Sequence, residues 1–138
     1  MKYLEIYTDG AYASSTDSGG VGIIILQNDK KLLEYSNGFK HTTNNRMELT
    51  AVIIALRIIK KKVDKLTIYS DSMYVIGGAS LGWKRNKNLD LWQKLDNEIQ
   101  RLSNLNVEIE FKHVKGHNKD KWNEKTDELA VFGSKLIL

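Results

Sequence analysis

The stretch NRMELTAVIIALRIIKKKVDKLTIYSD, residues 45 to 71, decides the architecture, because its apolar period changes partway along. Met47, Ala51, Ile54, Ala55 and Ile58 fall at the i, i+4, i+7, i+8 and i+11 positions of one helical face, which predicts a helix from Asn45. Glu48 is in phase with Val52, Ala55 and Ile59, so the helix would carry its carboxylate toward the sheet side, where a charge needs a partner. Lys60, Lys61 and Lys62 end the pattern with cations that suit a helix C-terminus. Leu66 to Ser70 then reads as a strand. Asp71-Ser72 opens a short helix expected to stop at Gly77-Gly78 or Gly82.

Upstream, Lys2 to Thr8 alternates Leu4, Ile6 and Thr8 with Tyr3, Glu5 and Tyr7, a strand expected to end at Asp9-Gly10. A loop from Ala13 to Gly20 leads to a buried strand, Val21 to Leu26. Asn28-Asp29-Lys30 turns it into a third strand, Lys31 to Phe39, closed by Asn37-Gly38. Downstream, Leu89, Trp92, Leu95, Ile99 and Leu102 mark a helix, and Val107, Ile109, Phe111 and His113 alternate with charged residues in a half-buried strand. A polar loop, Val114 to Lys121, precedes a last helix expected to bury Leu129, Ala130, Phe132 and Leu136. The order β-β-β-α-β-α-α-β-α predicts an α/β domain with a mixed sheet.

The chain has 138 residues, which fits a single domain over residues 1 to 138, and 41% hydrophobic with 28% charged residues excludes a disordered or collagenous chain. With no cysteine, disulfides, thiolate nucleophiles and zinc–thiolate sites are excluded, leaving oxygen and nitrogen chemistry. The start MKYLEIYTDG lacks a signal peptide's apolar run, and no stretch approaches about 18 apolar residues, so a cytoplasmic protein with no membrane partner is expected. A net charge of +4, from 21 Lys+Arg against 17 Asp+Glu, permits a polyanion partner without requiring one.

Asp9 and Asp71 each follow a predicted strand, and carboxyl ends of adjacent parallel strands are where open α/β sheets place their sites. Each acid also has a local reading: Asp9 as a turn residue, Asp71 as an N-cap, Glu48 in an Asn45-Arg46-Met47-Glu48 capping box, and Asp127 as an early-turn acid favoured by the helix dipole. Gathered together, three or four carboxylates would repel one another and need a counter-charge, and oxygen-only ligation favours Mg²⁺ or Mn²⁺ over zinc.

YTDGA at 7 to 11, TTNNRMEL at 42 to 49, YSDSMYV at 69 to 75 and VKGHNKDKWNEKTDELA at 114 to 130 together resemble type 1 ribonuclease H, in order over nearly the whole chain. The resemblance implies a five-stranded mixed sheet whose second strand is antiparallel to the rest, with helices on both faces. It implies an endonuclease that cuts the RNA strand of an RNA/DNA hybrid, leaving 5′-phosphate and 3′-hydroxyl ends, with two Mg²⁺ ions for which Mn²⁺ can substitute. It further implies that Asp9 bridges both ions, Glu48 and Asp71 complete their ligation, and Asp127 holds the ion that activates water. Glu48 would also accept from a ribose 2′-hydroxyl, the group that separates RNA from DNA. The loop residue His117 would assist water positioning or product departure. Asn44 and Asn45 would read the minor groove, Thr43 a DNA phosphate, Gly10, Ala11 and Met73 the RNA backbone, and Trp83 the DNA strand. His113 is expected to be structural and His41 to lie on the surface.

The sequence departs from the family in two places. The loop after Asp9, AYASSTDSGG, lacks the Asn-Pro-Gly-Pro pattern of many bacterial members. The bridge Trp83-Lys84-Arg85-Asn86-Lys87-Asn88 replaces a longer basic handle with three cations, so weaker and strongly salt-dependent hybrid binding is expected. A free-standing monomeric enzyme is expected; the competing readings are a catalytically silent binding module and a DNA-cutting relative of the same fold.

Overall fold

Strand-forming residues alternate across two faces from the start of the chain, and in the computed structural model, which describes residues 1–115 and 120–137, they build one five-stranded sheet. Its elements run β1 (Tyr3–Ala13), β2 (Ser18–Gln27), β3 (Lys30–Lys40), α1 (Asn44–Ile58), β4 (Lys65–Ser70), α2 (Met73–Ser80), α3 (Leu89–Asn104), β5 (Glu108–His113) and α4 (Lys121–Lys135). The spatial order is β3-β2-β1-β4-β5, with β2 antiparallel to both neighbours and β1, β4 and β5 parallel. This is the predicted mixed α/β sheet.

One face is an aliphatic core. Ile6, Ile23, Leu66 and Ile68 meet Leu49, Val52 and Leu56 of α1 and Leu95 and Leu102 of α3, all fully buried. Each such side chain stabilises the fold by roughly 1.5–3 kcal/mol. The helix α1 is buried more widely than its expected apolar row, because the sheet and α3 pack on different sides of it; Ile54 and Ile58, members of that row, are only half-buried.

The opposite face is packed by closeness instead of bulk. A Cβ at Gly20 would collide with the Ala130 and Ser134 backbone, and one at Gly22 with the Thr126 backbone, so the glycines let α4 lie almost on β2. Several expectations change in the structure. Ser18, Gly19 and Gly20 belong to β2 and not to a loop, and Asn37-Gly38 lies inside β3. Of the expected α4 core, Ala130 is fully buried, whereas Phe132 and Leu136 are 56% and 50% exposed. Of the two stops expected for α2, Gly77-Gly78 lies inside the helix, where tryptophan rings occupy the space its residues leave, whereas Gly82 follows the end at Ser80 and the cap Leu81 with a φ of 71°.

Candidate active site

Where β1 leaves β4, the sheet opens a notch. The parallel ladder ends at Tyr7–Tyr69, yet β1 continues, paired with β2, to Ala13. Asp9 therefore sits inside the strand, opposite Gly22, and neither ends it nor occupies a turn as its Asp-Gly pair suggested. It lies just beyond the last β1–β4 pair, and Asp71 follows the last residue of β4, so both acids reach the same edge.

The third acid arrives from α1. A Cβ on Gly10 would strike the Met47–Glu48 backbone, and its absence lets the helix touch the strand. The Gly10 N–H donates both to Glu48 Oε1, at 2.7 Å, and to Asp9 Oδ1, at 2.9 Å. This replaces the capping box considered for Glu48: Thr43 caps α1, its Oγ1 accepting from the Arg46 N–H. Asp71 is likewise not a cap, since Ser72 takes that position on α2.

Asp9 is 2% and Glu48 6% exposed, and carboxylate oxygens of Asp9, Glu48 and Asp71 all lie within 4.8 Å of one another. Asp9 Oδ2 is buried without a hydrogen-bond partner. Among the described residues, none of these acids forms an ion pair, although arginines and lysines pair with acids elsewhere. Burial first, then the charges of Glu48 and Asp71, push the Asp9 carboxyl far above the carboxylate range. Glu48 rises for the same leading reason, followed by repulsion from Asp71, and Asp71 is raised chiefly by burial. An orphaned buried oxygen within an all-oxygen set under mutual repulsion fits a hard divalent cation, which would supply the missing positive charge.

Asp127 stands on the exposed side of α4. It lies beyond the helix's first turn, where Glu124 takes the dipole-favoured position. It is close enough to the trio to raise Glu48 and Asp71 through its charge. His117 lies outside the described residues.

The other predicted site residues surround this notch to different degrees. Gly10 is buried and Ala11 half-buried on β1; Thr43, Asn44 and Asn45 are exposed at the start of α1; Met73 opens α2 at 37% exposure, and Trp83 follows its end at 51%. His41 is on the surface as expected, paired with Asp17 at 2.7 Å. His113 differs from expectation. It is exposed at the end of β5, its Nε2 3.3 Å from the Asp71 carbonyl oxygen, because β5 ends in register with Ser70. The parallel-strand argument that singled out Asp71 would also have singled out His113. A hollow on the uncovered half of the sheet, lined by Glu5, Lys65, Thr67, Glu108 and Glu110, has its lysine held between Glu108 and Glu110 at 3.2 and 3.5 Å.

Comparison with known proteins places the chain in a family. The Ribonuclease H of Actinobacillus pleuropneumoniae serotype 5b (strain L20) is 40% identical over 147 residues, covering 97% of this chain and 92% of the relative. That of Hahella chejuensis (strain KCTC 2396) is 41% identical over 153 residues, covering 100% and 97%. The fold superimposes on the crystal structure of LC11-RNase H1 in complex with RNA/DNA hybrid with a TM-score of 0.81, at 23% identity, over 95% of this chain and 96% of that one. The RNase H family model matches residues 1–135, a span that takes in the three-acid notch and all four helices, and the chain is a member of the ribonuclease H family.

Proposed function

We propose that the protein is an endoribonuclease that hydrolyses the RNA strand of RNA/DNA hybrids, leaving 5′-phosphate and 3′-hydroxyl ends, with two Mg²⁺ ions that Mn²⁺ can replace. The observation that carries this reading is the trio of carboxylates within 4.8 Å, one of whose buried oxygens has no partner. Asp9, Glu48, Asp71 and Asp127 would hold the ions, which when bound would polarise the scissile phosphate and lower the pKa of the attacking water.

The chain's own part is placement. Asp9 is held by its strand and by the Gly10 N–H, so its free oxygen is fixed in direction before any ligand binds. Glu48 uses Oε1 on Gly10, which leaves Oε2 to accept from a ribose 2′-hydroxyl and so to favour RNA over DNA. The exposed Asn44 and Asn45 would follow the minor groove, with Thr43 donating its hydroxyl to a DNA phosphate while its oxygen caps the helix. Gly10, Ala11 and Met73 would line the RNA backbone, Trp83 would face the DNA strand, and His117 would act on water or product. With so short a basic bridge, hybrid binding would be weaker at physiological ionic strength, because few phosphate contacts release few counterions.

End-labelled RNA/DNA hybrid, duplex RNA and duplex DNA incubated with the protein, with and without EDTA, test this directly. The expected result is cleavage confined to the RNA strand of the hybrid and abolished by chelator. Cutting of duplex DNA, or of hybrid in EDTA, would overturn the reading.

A further inference from the structure

The bridge after α2 is folded down tightly, and one of its cations is already committed. Arg85 donates from Nε and Nη2 to the Gly78 carbonyl oxygen, at 3.1 and 2.9 Å, and from Nη1 to Asp96 of α3 at 2.7 Å. Its guanidinium lies 4.4 Å from the centre of the buried Trp92 ring, which itself fills the space beside Gly78. One side chain thus satisfies a C-terminal carbonyl of α2, complements that helix's dipole, stacks on an indole and closes an ion pair. A guanidinium bound on all these sides has little left to offer a phosphate.

Its neighbour is placed quite differently. The Trp83 N–H donates to the Gly77 carbonyl oxygen at 3.0 Å, and its ring lies where a Gly77 side chain would be, yet the residue remains 51% exposed. Leu81 beside it is 55% exposed, and Lys84 and Lys87 are exposed with no ion pair among the described residues. An exposed indole flanked by lysines with no ion pair among the described residues suits packing on the sugars of a nucleic-acid backbone, with the cations near its phosphates. The eight residues of α2 span about 12 Å, three or four base steps at 3.4 Å, so Trp83 falls within the footprint of a duplex seated at Asp71.

We propose that Arg85 is a positioning residue that fastens residues 81–88 onto α2 and α3, so that Trp83 is preformed for the hybrid; Arg85 itself does not bind phosphate. This rests on the hybrid being the substrate. Cleavage kinetics of the wild type, Arg85→Met, Arg85→Lys, Trp83→Ala and the double variant R85M/W83A test it well below their melting temperatures. Arg85→Met and Trp83→Ala should each raise KM about tenfold, the scale of one lost well-packed aromatic contact, with kcat within about twofold. The double variant should be no worse than Trp83→Ala alone. Arg85→Lys should fail to rescue, because an ammonium cannot make the fork and the stack together. Gly77→Ala, whose Cβ would displace the Trp83 ring without touching Arg85, should raise KM as Trp83→Ala does, and it serves if Arg85→Met does not fold. Full rescue by Arg85→Lys, additive losses in the double variant, or an unchanged KM in Arg85→Met or in Gly77→Ala would overturn the proposal. A wild type that leaves the hybrid uncut would instead sink the reading on which it rests.

Discussion

Two sets of carboxylates in this molecule have opposite electrostatics. Along the α1–α3 seam every acid has a cation: Asp90 pairs with Arg46 at 2.8 Å, and Glu98 with Arg57 and Arg101 at 3.3 and 3.0 Å. Hydrogen bonds from Arg46 hold the Asp90 carboxyl down at about 2. At the β1–β4 notch, Asp9, Glu48 and Asp71 have no ion-pair partner among the described residues, and burial drives all three upward. The seam is complete without a ligand. The notch is finished only by something positive, and so it is the notch that reads as functional.

The sharpest way to break this contrast is to neutralise its centre. Asp9→Asn should reduce cleavage by at least about 10³-fold, the loss of some 4 kcal/mol of transition-state stabilisation. The same variant, free of metal at neutral pH, should be more stable than the wild type by about 1–3 kcal/mol, since an acceptor without a partner gives way to an amide N–H that can donate to the neighbouring carboxylates. A chemical denaturation series in EDTA measures the second effect; a destabilised Asp9→Asn protein would contradict the strained-notch account.

Metal and pH give an intermediate effect. At a hundredfold excess over Kd, Mg²⁺ should raise the Tm of the wild type by roughly 5–15 °C and that of Asp9→Asn far less. In EDTA the two regions should respond to pH with opposite signs. The notch acids have folded pKa values above their unfolded ones, so their stabilising contribution is complete below about pH 4 and is lost as pH rises through the folded values. Asp90, whose folded value is depressed to about 2, contributes above about pH 4, and that contribution is lost as pH falls toward 2. Thermal melts from pH 5 to 9 should therefore show Tm falling in metal-free wild type, with a flatter slope in Asp9→Asn.

The smallest change is expected at the seam. Asp90→Asn should move Tm by no more than about 2 °C and leave kcat unaltered, because an exposed pair contributes little. A larger loss would mean that the Arg46 contact, two residues before Glu48 on the same helix, also steadies the notch.

Much of the fold was legible because hydrophobic period reports local structure directly: all nine elements were anticipated in order, and the switch at Asn45 separated meander from helix. The errors gather at glycines. Gly19-Gly20, Asn37-Gly38 and Gly77-Gly78 read as turns and breaks, yet all lie within regular elements. The same residue type serves a turn and a close approach, and only the partner across the gap distinguishes them. Phe132 and Leu136 misled for a related reason, since α4 is seated by Ala130 and Gly133 and not by its largest side chains.

The linear sequence by itself determined which residue types were available, an oxygen-rich, cysteine-free set of acids at spacings that match a family, and the alternation that makes a mixed sheet. Only the tertiary structure decided among the local roles each acid could have taken. Turn residue, cap and dipole partner are contacts within a few positions along the chain, whereas the Gly10 N–H shared by Asp9 and Glu48 joins residues 38 positions apart. Repulsion, burial and an unpartnered oxygen exist only once those distant groups are brought together, and they are the properties that set three ordinary carboxylates apart as a candidate site.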